Sequence, residues 1–172
     1  LTYKQSRRGD RAIDAIGAYV VGATPGGRVV PYSPYGYDER QFCSPGFDLP
    51  VGRVTRSGHD EYPEYHTSGD DFDIVDAGRL DAAARAIARI LRIAATDARC
   101  RNLRPEGEPR LGRHGLYRAL GGATPDDATQ ALLWVLSYSD GAHTLLEVAR
   151  RAQLPFEAVR TAADRLIAAG LL

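Results

Sequence analysis

Methionine is missing from these 172 residues, tryptophan occurs once, cysteine twice, and the formal net charge is zero. With 22 basic side chains against 22 acidic ones, the chain has no dominant attraction to nucleic acid or to an anionic membrane surface. No uninterrupted apolar run approaches the roughly 20 residues that span a bilayer. Cys43 and Cys100 are far apart and in different contexts. A disulfide between them is not the expected state, and a reduced, cytoplasmic protein is the default. What the chain does have is a hydrophobic content of 44%, which is that of a globular protein rather than a disordered one. Its length suits one domain, or a small domain joined to a piece of another.

Residues 10–21 predict a helix, because Ala12, Ile13, Ile16 and Val20 recur at helical spacing and Asp10 is placed to cap the start. Thr24-Pro25-Gly26-Gly27 ends it. Residues 28–32 predict a short strand around Val29 and Val30, and residues 48–56 a second one. Residues 58–69 read as loop. A long helix follows, capped by Asp70 or Asp76 and reaching about Ala98, with Leu80, Ala84, Ile87, Leu91 and Ala94 as its buried stripe. Residues 99–122 are rich in Arg, Pro and Gly and predict a surface connector anchored by Leu116 and Leu120.

The tail reads as a small all-α module over residues 123–172. Helices are expected at 125–138, at 144–153 and from Pro155 to Ala169, with a turn at Asp140-Gly141 and a stop at Gly170. Leu145, Val148, Ala149, Val159, Ala163, Leu166 and Leu171 face inward in this pattern, which is that of a helix-turn-helix or winged-helix module. Four arginines and no lysine stand against six carboxylates in it, so DNA is not its expected partner. Residues 1–122 offer only two strands, where a mean sheet has roughly 5–6. The apolar helix faces are therefore short of sheet to cover them.

Two polar loops carry the chemistry. Residues 33–48 hold Asp38, Glu39, Arg40 and Cys43 in a turn-rich setting, and Tyr65-His66-Thr67-Ser68-Gly69-Asp70 precedes the long helix. A neutral imidazole such as that of His66 can bind a metal, and the phenol of Tyr65 can donate a hydrogen bond to a developing oxyanion while staying neutral. On charge alone, Asp38, Glu39 and Arg40 make a solvated turn, Asp70, Asp71 and Asp73 make helix caps, and a lone loop histidine is a surface residue. His59, His114 and His143 have no partner pattern. No histidine pairs with Cys43 in a recognisable motif, so it does not read as a nucleophile.

Three words, Tyr3-Lys4-Gln5-Ser6-Arg7-Arg8-Gly9-Asp10, Tyr37-Asp38-Glu39-Arg40-Gln41-Phe42-Cys43-Ser44-Pro45-Gly46 and Glu61-Tyr62-Pro63-Glu64-Tyr65-His66-Thr67-Ser68, decide between these readings. Through them the chain resembles the C-terminal part of the aminopeptidase-like zinc hydrolases of the DUF4910 type, relatives of the M28 metallopeptidases. The resemblance runs over essentially the whole chain. It implies the C-terminal portion of an α/β, doubly wound sheet over residues 1–98. The implied activity is zinc-dependent hydrolysis of an amide bond in a small amino-acyl or peptide-like substrate, within polysaccharide or secondary-metabolite biosynthesis. It implies that Tyr65 is catalytic, that His66 is a ligand to one of one or two zinc ions, that Asp38, Glu39 and Arg40 bind substrate, and that Asp70 orients the histidine loop. Glu61 and Glu64 then line the pocket rim. The family's remaining ligands and its glutamate base have no counterpart here, so the expected partner is an upstream part of the same polypeptide, with homo-oligomer formation as a further expectation. A non-catalytic binding or regulatory module with a helix-turn-helix tail is the alternative.

Overall fold

The computed structural model describes residues 1–58, 61–116 and 126–172 and divides the chain into two compact units, residues 1–95 and 96–172. His59, Leu120 and Pro125, which figure in the expectations above, lie outside the described residues.

The first unit is built on a three-stranded sheet in the order β2-β1-β3. The central strand, β1 (Thr2–Lys4), pairs in parallel with β2 (Arg28–Val30) and antiparallel with β3 (Arg53–Thr55). The mixed sheet is small, and the doubly wound form expected from the resemblance is not visible in it. The second predicted strand shrinks to three residues, and β1 was not anticipated. Its Thr2 and Lys4 are polar yet buried, so the strand carries no alternating pattern.

Helix α1 (Ala12–Gly22) packs on β1 through Ile16, Val20 and Val21. Its start is not capped by Asp10. Asp14 does that work instead: its carboxylate accepts from Arg11 N at 3.2 Å, Ser6 N at 2.6 Å and Ser6 Oγ at 2.5 Å. The Tyr3 hydroxyl donates to Ile13 O at 3.0 Å and lies 3.2 Å from Asp14 Oδ1. A carboxylate buried this fully is tolerated because its lone pairs are taken. Gly17 permits the packing, since a Cβ there would fall 2.4 Å from the Tyr3 ring.

A short helix, α2 (Asp38–Phe42), occupies the first polar loop. After β3 the chain runs through turns to a 3-10 turn at Phe72–Ile74, and then into α3 (Ala77–Thr96). Asp76 caps α3, accepting from Arg79 N at 2.6 Å, while Asp71 accepts from Asp73 N at 2.9 Å. The buried residues of α3 are Ala86, Ile90 and Ile93. The stripe expected to be buried is the exposed one: Leu80 is 64% exposed, Ile87 42% and Leu91 63%. Both faces carry apolar side chains, so spacing alone cannot choose between them.

The second unit is not all-α. Strand β4 (Arg99–Arg101) pairs antiparallel with β5 (Asp140–Thr144), the latter lying where a turn was expected. The described part of the expected connector is thus tied into this unit, with Asn102 N donating to Ser139 O at 2.6 Å and Leu103 N to Leu171 O at 2.9 Å. Helices α4 (Asp127–Tyr138), α5 (Leu145–Ala152) and α6 (Phe156–Ala168) pack on one another. A capping box between Thr144 and Glu147 starts α5. All seven residues expected to face inward are buried. Among the described residues, no helix is long and apolar enough to cross a membrane.

Candidate functional site

The loops of the first unit converge on a cleft of about 500 Å³, a size that suits a small molecule. Tyr37, Tyr62 and Tyr65 line it, with Thr55 and Arg56 at the end of β3, Glu64 and Asp70 from the histidine loop, and Arg79 from the first turn of α3. Of the candidate site residues read from the sequence, Tyr65, Asp70 and Glu64 line this cleft; Asp38, Glu39, Arg40 and His66 are not among its lining.

Tyr65 is held by its neighbours. Its hydroxyl lies 2.7 Å from that of Tyr37. Its ring meets Tyr62 edge-on at 5.6 Å and stacks on His66 at 4.1 Å. The hydrogen bond with Tyr37, with desolvation second, pushes its ionisation up to about 12. The phenol therefore keeps its proton through the neutral range, as a hydrogen-bond donor to an oxyanion must.

His66 is exposed, and its backbone is left-handed at φ 59°, which is uncommon for a residue with a Cβ. The Tyr62 hydroxyl donates to Asp70 Oδ2 across 3.4 Å, linking the two ends of the histidine loop. Among the described residues, no three His, Cys, Asp or Glu side chains gather to hold a metal. His66 alone does not make a zinc shell, which takes about three or four protein ligands.

The Asp38–Arg40 loop splits into two roles. Asp38 and Arg40 point to solvent on α2, but Glu39 is 3% exposed. One Glu39 oxygen lies 2.9 Å from Lys4 Nζ and 3.3 Å from Arg53 Nη1, and the other accepts from Tyr37 N at 3.0 Å. Burial works against its charge, but the hydrogen bond from Lys4, backbone bonding and Arg53 prevail and lower its ionisation. The carboxylate is committed inside the protein, bonded to the backbone of Tyr37, which lines the cleft.

Glu64 lines the cleft, as expected for a rim residue, while Glu61 is engaged by Arg28 at 2.6 Å. Cys43 is fully buried, its thiol 3.3 Å from both Leu49 O and Val51 O. His143, which shows no partner in sequence, has Nδ1 2.8 Å from Asp140 Oδ2 in the second unit. Tyr37, Arg53 and Lys4 were not singled out from sequence. Lys4 and Tyr37 lie in words that carry the resemblance, but what joins them is long-range: the Lys4–Glu39 ion pair links residues 35 positions apart.

Comparison with known proteins gives this geometry a family. Residues 98–172 match the winged helix-turn-helix model. A relative from Clostridium acetobutylicum, described as a "putative polysaccharide biosynthesis protein with aminopeptidase-like domain", is 36% identical over 99% of this chain and 39% of its own length. A crystal structure from the same organism, described as a "putative peptidase", superposes with a TM-score of 0.86 at 32% identity, covering 99% of this chain and 37% of that one. The chain thus spans about two fifths of the length of the relatives it matches. Residues 1–97, more than half of the chain, match the "Domain of unknown function (DUF4910)" model, and the chain belongs to that family.

Proposed function

We propose that this chain supplies one wall of the active site of a zinc-dependent, aminopeptidase-like amidohydrolase. The enzyme cleaves an amide bond of a small amino-acyl or peptide-like substrate in polysaccharide or secondary-metabolite biosynthesis. The observation that carries the reading is Tyr65: a proton-bearing phenol, fixed by Tyr37 and Tyr62, at the edge of a cleft of about 500 Å³. The descriptions of the two Clostridium proteins, one with an aminopeptidase-like domain and one a peptidase, support hydrolysis of a peptide-like amide.

In this reading Tyr65 donates to the oxygen of the amide carbonyl as it becomes an oxyanion. Asp70 steadies the histidine loop through Tyr62. Asp38 and Arg40 meet the far end of the substrate, and Glu39 anchors the turn that carries them. His66 would be the one zinc ligand this chain contributes, and bound zinc would supply an activated water. The remaining ligands would come from an upstream part of the same polypeptide. That part would also cover the exposed α3 stripe and the edge strand β2, whose Val29 is 39% exposed. The protein would work in the cytoplasm, on a small molecule rather than on nucleic acid or membrane.

The test is the natural full-length protein, purified with and without His66→Ala and assayed for zinc content and for hydrolysis of aminoacyl amides. Loss of both metal and activity in the variant is the expected result. Unchanged zinc content removes His66 from the site, and a parent protein without amidase activity removes the reading.

A further inference from the structure

We propose that Tyr37 is the positioning residue of Tyr65, and that the buried Lys4–Glu39 pair, with Arg53 beside it, is the clamp that holds Tyr37 in place. The inference rests on the reading of Tyr65 as the oxyanion donor.

The two hydroxyls are 2.7 Å apart, and either can donate to the other. A hydroxyl has one proton and two lone pairs and can turn about its C–O bond. When Tyr65 donates to Tyr37, its proton is engaged. When a carbonyl enters the cleft, both rotors can turn together. Tyr37 then donates to Tyr65, and Tyr65 donates to the substrate. No bond to a heavy atom is made or broken in this exchange. Tyr65 keeps a hydrogen-bond partner throughout, so its oxygen stays in one place while its proton changes direction.

This works only if Tyr37 is itself fixed. Tyr37 is 48% exposed, and two polar contacts hold it. The Arg53 guanidinium lies over the ring, 5.0 Å from its centroid, an attraction between a cation and the ring face. The Tyr37 backbone N–H donates to Glu39 Oε2 at 3.0 Å. Glu39 in turn holds Arg53 at 3.3 Å and Lys4 at 2.9 Å. Lys4 Nζ also donates to Tyr35 O at 2.7 Å, pinning the turn two residues before Tyr37. The turn is tight: a Cβ on Gly36 would fall 2.0 Å from Glu39 Oε1 and 3.0 Å from Lys4 Nζ. Glycine at position 36 lets the buried ions approach the backbone.

The test uses Tyr37→Phe, which keeps the ring for Arg53 and removes only the hydroxyl, with Tyr65→Phe as control. In the natural full-length enzyme the same variant is expected to lower turnover by up to about tenfold, with the Michaelis constant little changed. Arg53→Lys keeps a charge beside Glu39 but loses the flat cation over the ring, and is expected to lower turnover in the same direction. Parental turnover in Tyr37→Phe when Tyr65→Phe is crippled overturns the proposal, and so does a loss carried by the Michaelis constant rather than by turnover. If Tyr65→Phe itself retains parental turnover, the oxyanion reading is what fails, and this proposal falls with it.

Discussion

Lys4 and Glu39 meet 2.9 Å apart in the interior of the first unit, joining the central strand to the short helix that begins the cleft loop. They are 4% and 3% exposed. Removing one member of such a pair strands the other charge away from water, which costs about 3–5 kcal/mol. Glu39→Gln is therefore expected to destabilise the protein by several kcal/mol in denaturant unfolding, while Asp38→Asn on the exposed face of the same helix changes stability by less than about 0.5 kcal/mol. Equal effects of the two would mean that Glu39 is not the anchor.

The same pair sets a pH dependence. Glu39 ionises at a lower pH in the folded protein than in the unfolded chain, because Lys4 and Arg53 outweigh the burial that opposes them. Its contribution is then fully present above the unfolded value of about 4.3, and it is lost as pH falls through the lower, folded value. The stability gap between the parent and Glu39→Gln should be constant near neutrality and shrink below about pH 4. Unfolding curves at a series of pH values measure this, and a gap that widens on acidification would show that the sign is wrong.

Leu80, Ile87 and Leu91 form a solvent-facing stripe on α3. Stripes of this kind mark an interface, so the 172-residue chain is expected to self-associate. Replacing Leu80 and Leu91 with Glu should abolish association and leave stability within about 0.5 kcal/mol, since neither side chain is in the core. Sedimentation of the parent and the double variant decides it; a parent that stays monomeric at high concentration would leave the stripe without a partner.

Residues 124–172 are expected not to bind DNA specifically, although they lie within the winged helix-turn-helix match. They hold only four arginines and no lysine against six carboxylates. Arg160 on α6 is paired with Asp164, and the Arg151 guanidinium lies over the Tyr138 ring at 5.3 Å. The segment therefore offers phosphates little positive charge. A fluorescence titration at about physiological salt should show no sequence-specific binding tighter than about micromolar.

The sequence spoke most clearly where caps and spacing agree. The core of the second unit follows from Pro155 marking a helix start and from apolar residues recurring at helical intervals on either side of it. It misled on α3, whose Leu80–Leu91 and Ala86–Ile93 stripes are both apolar, because what covers a face is not written in its period. Strand β1 was hidden because its burial depends on Glu39 and Asp14, far along the chain, rather than on its own residues. Tyr65 and Asp70 could be picked out from their local word. Tyr37 could not, because its role is defined by a contact 28 residues away.

Kinetics of Tyr65→Phe in the natural full-length protein test the central claim most directly. A single oxyanion donor is worth about 2.7–4 kcal/mol, or roughly 10²–10³ in turnover. The account predicts a loss of that order in kcat, with a Michaelis constant close to the parent's, because the hydroxyl acts mainly in the transition state. Turnover within about twofold of the parent would contradict it and leave Tyr65 as a packing residue at the rim of the cleft.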